Sequence, residues 1–98
     1  MIKHLIVFNI PATMTHEACI RMLERGKQQL TQIPGVIGYY YGVGVAENAT
    51  YKYTLCVDFT DESVIESYKI HPIHTDFADN WFRPMAADRV TTDYVITY

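Results

Sequence analysis

Ile2-Lys3-His4-Leu5-Ile6-Val7-Phe8 opens the chain, and its alternation sets the terms for the rest of the fold. In an extended strand His4, Ile6 and Phe8 point to one side, and Leu5 and Val7 point to the other. Both sides are apolar, so the strand needs cover on two faces rather than one. The β-branched run reaches Ile10 and stops at Pro11, which cannot donate to a ladder.

Downstream of Pro11, Thr13 or Thr15 can cap a helix that carries Glu17 in its first turn, where the helix dipole favours an anion. Cys19, Met22, Leu23, Gly26, Leu30 and Ile33 then recur at three- and four-residue steps, the stripe of a helix with one buried face. Pro34-Gly35 ends it. Val36 to Val45 predicts a second strand, loosened by three glycines. Its consecutive Tyr39, Tyr40 and Tyr41 must alternate sides, with at least one in the core. Glu47-Asn48-Ala49 supplies a turn into a third strand, Thr50 to Phe59. There Tyr51, Tyr53, Leu55, Val57 and Phe59 share one face, opposite a more polar one. Thr60 or Asp61 caps a second helix that turns Val64, Ile65 and Tyr68 inward and breaks at Pro72. A further helical piece places Phe77, Trp81 and Phe82 on one stripe and ends at Pro84, and Arg89 to Tyr98 is the last strand.

The order strand–helix–strand–strand–helix–strand is the ferredoxin-like arrangement, an α+β fold with a four-stranded antiparallel sheet. Right-handed crossovers put the helices on one face of that sheet. The other face, with Leu5, Val7, Val90, Tyr94 and Ile96, would leave a larger apolar patch than soluble monomers tolerate. Sheet-to-sheet homodimerisation is the expected remedy, giving a dimeric α+β barrel. The 98 residues, undivided by linker or repeat, are expected to form a single domain. A net charge of −3 with no Lys/Arg cluster argues against nucleic acid as a partner. No apolar run is long enough to span a membrane, and no leader pattern precedes the first strand. Cys19 and Cys56 lack CxxC spacing, which fits two buried thiols in a reducing cytoplasm.

Tyr68-Lys69-Ile70-His71-Pro72-Ile73-His74 gathers two imidazoles and a phenol around a helix break. Such groups exchange protons near neutral pH. The first strand, Ile33-Pro34-Gly35-Val36, the His-Pro-x-His core and Asp93-Tyr94 after Asp88-Arg89-Val90 occur here in one order. Together they resemble the stress-responsive dimeric α+β-barrel (Dabb) family over nearly the whole chain. Its better-understood proteins include olivetolic acid cyclase, a polyketide cyclase, and a hydroxynitrile lyase. Both act on carbonyl compounds without a cofactor.

The resemblance implies a catalytic set of His74 and Tyr68, with Asp93 near His74 and His4 on the first strand. In that reading His74 abstracts a proton beside a carbonyl, Tyr68 polarises the oxygen, Asp93 orients His74 and raises its pKa, and His4 positions the substrate. His71, Tyr53, Phe77, Trp81 and Phe82 complete the wall of a pocket for a small hydrophobic or aromatic molecule. Two positions depart from the cyclase pattern: Tyr53 stands for a pocket histidine, and Gly26 stands at or near a pocket tyrosine, which implies a reshaped or larger apolar pocket. No cofactor and no metal are expected, because His71 and His74 with Asp93 or His4 match no zinc spacing. The rival from another class is a non-catalytic stress-response or ligand-carrying protein in which these groups only satisfy one another.

Overall fold

The computed structural model describes residues 1–98. Four strands, β1 (Ile2–Asn9), β2 (Val36–Val43), β3 (Tyr53–Phe59) and β4 (Asp88–Val95), form one antiparallel sheet in the order β2-β3-β1-β4. Helix α1 (His16–Leu30) joins β1 to β2. Between β3 and β4 the chain forms α2 (Ser63–Ile70), α3 (Pro72–Phe77), a π-helical stretch (Ala78–Phe82) and the short α4 (Arg83–Met85). This is the ferredoxin-like fold that the pattern predicts.

The alternation of β1 is realised residue by residue. Ile6 and Phe8 are buried against the helices, while Leu5 and Val7 lie half-buried on the open face. Tyr53, Leu55, Val57 and Phe59 face the same core from β3. The α1 stripe buries Cys19, Met22, Leu23, Gly26 and Leu30 against them, and Thr15 is its cap, its side chain accepting from Ala18 N–H at 3.1 Å. Both thiols are buried and free, and burial pushes that of Cys19 up to about 11, which leaves it inert at neutral pH.

β3 begins three residues later than its alternation suggests. The Asn9 side chain bonds Thr50 C=O and Lys52 N–H, both at 2.8 Å, so these groups serve a loop instead of a strand ladder. β4 ends at Val95, and β2 ends at Val43. Trp81 leaves its expected stripe for a clear reason. A π-turn brings residues five apart onto one face. Phe77 and Phe82 therefore stack at 6.2 Å, while Trp81 swings outward beneath the Arg25 guanidinium at 4.7 Å.

Glycine is required at two places. Gly35, at φ +90°, closes the turn before β2 with Val64 methyls packed where a Cβ would stand. Gly26 faces Tyr39 and Phe77, and a Cβ there would lie 2.5 Å from the Tyr39 hydroxyl. That hydroxyl donates to Leu23 C=O at 2.6 Å. The space opposite Gly26 is thus filled by Tyr39 and Phe77, which corrects the expectation of an enlarged pocket at this position.

Alanine normally gains about 1 kcal/mol over glycine inside a helix. Gly26→Ala is nevertheless expected to destabilise by about 1–3 kcal/mol through overpacking. Thermal unfolding should show a lower midpoint, and Tyr39→Phe should restore part of the loss in the Gly26→Ala background. Additive effects of the two substitutions would contradict this packing account.

Candidate active site

The cavity lies where the helices run out of sheet to cover. β4 is an edge strand and buries none of its residues. Along it Arg89, Thr91 and Asp93 pair with Phe8, Ile6 and His4, so all three point to the helix side. Between this bare strand and the helices opens a cavity of about 430 Å³. Ile6 and Phe59 lie on its sheet side, Ile65 and Tyr68 come from α2, and His74, Ala78 and Phe82 come from α3 and the π-helical stretch.

Four candidate residues meet there. The Tyr68 ring lies 4.4 Å from the His74 ring and 5.5 Å from the His4 ring, centre to centre. His4 also stacks on Phe59 at 5.6 Å. Asp93 Oδ1 sits 2.5 Å from His4 Nδ1. A carboxylate only accepts, so Nδ1 carries the proton and Nε2 is the ring's other functional atom. Asp93 therefore orients His4, and the expected contact with His74 is corrected. The register decides this, since Asp93 is the direct cross-strand partner of His4.

His74 is held by a different device. Its Nδ1 lies 2.9 Å from the backbone carbonyl of Lys69, so Nδ1–H donates and Nε2 keeps a free lone pair. Burial pulls the His74 pKa below its ordinary value of 6.5. The Lys69 carbonyl opposes this, and the charges of His4 and Arg83 add to it. The expectation of a raised pKa is thus reversed, and His74 is neutral at pH 7. Tyr68 is 4% exposed. Burial, reinforced by the Asp93 charge, holds its phenol well above its usual range. No buried polar side-chain atom lacks a partner, and the Tyr68 hydroxyl bonds nothing in the chain, so it opens into the cavity as a neutral donor.

The remaining candidates divide. Phe82 lines the cavity, and Phe77 lies behind it beside a void of about 20 Å³. His71, Tyr53 and Trp81 lie outside. His71 caps α3, its Nδ1 accepting from Ile73 N–H at 3.1 Å. Tyr53 stacks on Phe8, and its hydroxyl meets His16 Nδ1 at 2.8 Å, away from the cavity. Trp81 is displaced by the π-turn. Arg83, Arg89, Thr91, Lys69 and Glu66 line the cavity and were missed in the sequence. The alternation Arg89-x-Thr91-x-Asp93 was the available signal for the β4 members. No three His, Cys, Asp or Glu side chains are grouped to hold a metal ion.

A ferredoxin-like sheet with an acid–base cavity under its helices defines a broad class of small α+β proteins. Within it, residues 2–96 match the family model of the stress-responsive A/B barrel domain. The chain belongs to that Dabb family. It is similar to a Dabb protein of ferredoxin-like fold from Mesorhizobium loti, at 24% identity and a TM-score of 0.83 over 99% of this chain and 97% of that one. A dimeric ferredoxin-like protein of unknown function from Thermobifida fusca matches at 24% identity and TM-score 0.82, covering 97% and 90%. The hydroxynitrile lyase of Passiflora edulis matches at 12% identity and TM-score 0.85, covering 98% and 93%. No curated protein matches the sequence. No helix is long and apolar enough to cross a membrane.

Two imidazoles fixed by different partners make a spectroscopic prediction. Long-range ¹H–¹⁵N spectra should show His74 as the Nδ1–H tautomer at neutral pH, with a titration midpoint below 6.5. Asp93→Asn should perturb the His4 ring resonances and leave the His74 tautomer in place. A His74 tautomer that changes with Asp93→Asn would return Asp93 to His74.

Proposed function

We propose that this protein is a cofactor-free acid–base catalyst acting on a small carbonyl compound of hydrophobic or aromatic character, in the manner of a cyclase or lyase. The observation that carries the reading is the pairing of a neutral imidazole with a free Nε2 and a neutral phenol with an unpartnered hydroxyl in one cavity. His74 Nε2 takes a proton from the carbon beside the carbonyl. Tyr68 donates to the oxygen on which charge develops, the kind of electrostatic stabilisation that contributes most in such reactions. His4, held by Asp93, supplies a second proton site on the same cavity. The lyase among the structural neighbours supports the choice of reaction class only at the level of fold.

The second reading is a ligand-binding protein without turnover. It is favoured by the openness of the cavity along β4, because an active site of this kind benefits from excluding water. The same side chains would then orient a ligand by hydrogen bonds. In either case the buried reduced thiols suit a reducing compartment such as the cytoplasm.

We also propose that the chain is a homodimer through the open sheet face, as dimeric neighbours of this fold suggest. Val7 and Val90 are cross-strand partners on that face, beside Leu5 paired with Thr92 and Lys3 paired with Tyr94. Val90 and Tyr94 are 47% and 46% exposed in the lone chain. Lys3 bonds Asp58 at 2.9 Å there and covers the Tyr40 ring at 4.5 Å, so the face carries an internally paired charge among its apolar groups.

Deuterium incorporation into the methyl group of acetophenone tests the catalytic reading. The wild-type protein should accelerate exchange above buffer. His74→Ala should remove roughly a hundredfold or more of that rate, and Tyr68→Phe a comparable factor. The base works neutral and burial lowers its pKa, so the rate should rise with pH and reach half its plateau below pH 6.5. A half-rise above that value would exclude His74 as the base, and exchange no faster than in buffer would favour the binding reading.

The dimer is tested by sedimentation. Val7→Glu should shift the protein to monomer, because a lone carboxylate on a buried apolar face is strongly unfavourable. A monomeric wild-type protein at micromolar concentration would remove the proposal.

A further inference from the structure

The cavity has an electrostatic polarity that the acid–base reading does not use. Three acidic side chains are paired within the chain, in the ion pairs Lys3–Asp58 and Arg83–Asp79 and the His4–Asp93 hydrogen bond. Arg89 belongs to none of them, although it lines the cavity from the exposed strand β4. Its one bond within the chain is from Nη1 to Ala86 C=O at 2.8 Å. A guanidinium offers five donors in a rigid fork shaped for an oxyanion.

Its position relative to the acid–base groups is set by strand geometry. Arg89 and Asp93 face the cavity from the same strand, four residues apart. At about 3.3 Å per residue their backbones stand roughly 13 Å apart. Thr91 lies between them and pairs with Ile6 on the cavity floor. The His4 and Tyr68 rings lie at the Asp93 end, with His74 against Tyr68, and Arg89 lies beside Phe8 at the other. Arg83 is already engaged by Asp79, and Lys69 follows Tyr68 on α2, so Arg89 is the cation free to meet a ligand on the β4 side of the cavity.

We infer that the substrate or ligand is elongated and anionic, with a carbonyl at the Tyr68–His74 end and an oxyanion, carboxylate or phosphate, held by Arg89 at the other. This rests on the carbonyl reading of the same cavity and adds the charge and length of the molecule that fits it. The apolar middle, over Ile6 and Phe82, receives the chain that joins the two groups.

The test is a binding comparison that needs no turnover. The probes are 8-oxo-8-phenyloctanoate, its methyl ester, and the matched ω-phosphonate. All carry the same ketone, and their tails differ in charge. Binding is followed by titration calorimetry and by the amide shifts of Tyr68 and His74. An anionic probe should bind the wild-type protein roughly tenfold or more tightly than the ester, as a charged hydrogen-bonded contact provides. The tighter of the two anions identifies which oxyanion the site prefers. That preference should fall to near unity in Arg89→Ala, fall partly in Arg89→Lys, and shrink as salt is raised on the unaltered protein.

Equal affinities of the acid, the phosphonate and the ester for the wild-type protein would overturn the inference and leave the carbonyl reading standing. An anion preference that survives Arg89→Ala in folded protein would also overturn it. Binding of none of the probes would overturn the inference, and the acetophenone exchange rate would then decide the carbonyl reading independently.

Discussion

The break at Pro72 is the constraint from which the site follows. Proline has no N–H to continue a helix, and its ring collides with the carbonyl four residues back, here that of Tyr68. The residue before it is forced out of helical geometry, and His71 is extended at φ −65° and ψ 134°. Tyr68 C=O instead accepts from His71 N–H at 3.1 Å. Ile73 N–H, which an unbroken helix would send to Lys69 C=O, goes to the His71 imidazole. The Lys69 carbonyl is thereby freed, and His74 Nδ1–H occupies it. One proline thus fixes where α2 ends, how α3 is capped and which nitrogen of His74 remains basic. His71 contributes to the site through the backbone it holds, without touching the cavity.

A second consequence concerns reach. The helices bury β1 and β3 beneath them but leave the inner face of β4 bare. The π-helical stretch accentuates this by stacking Phe82 with Phe77 and against Phe8, at 5.4 Å, which closes the Phe8 end of the core. The result is a core that is dry under α1 and open beside β4. Polar side chains concentrate on the open side for the same reason: only there can a carboxylate, two imidazoles and two guanidiniums face inward without full desolvation.

Much of this was legible in the sequence. The α1 stripe, the β3 alternation and the helix break predict the elements because each rests on a local rule of period or of proline chemistry. The meeting of His4, Tyr68 and His74 around one cavity came from family resemblance, since no local rule joins a first strand to a broken helix. Three placements were not legible. The Asp93–His4 pairing depends on cross-strand register, which hydrophobic patterning of β4 does not specify when that strand is exposed on both sides. Trp81 is turned outward by a five-residue spacing that only the packing of Phe77 on Phe82 reveals. The site at Gly26 reads as an absent side chain, whereas Tyr39 enters it from β2, an element distant in sequence.

β1 unites the two halves of the molecule's chemistry. Its even-numbered residues, His4, Ile6 and Phe8, belong to the cavity and core, and its odd-numbered residues, Lys3, Leu5 and Val7, belong to the face proposed for the dimer. A one-residue slip would exchange the two sets. It would carry His4 away from Asp93 and Tyr68 and turn Lys3 into the core. Both neighbours of β1 oppose the slip: β3 holds Ile6 beside Leu55, and β4 holds His4 beside Asp93. The charged contacts on the two faces, Lys3–Asp58 on one and His4–Asp93 on the other, each satisfy only one register. They act as devices that pin the strand in one alignment. The strand that opens the chain therefore has to be aligned correctly for both the cavity and the open face to exist.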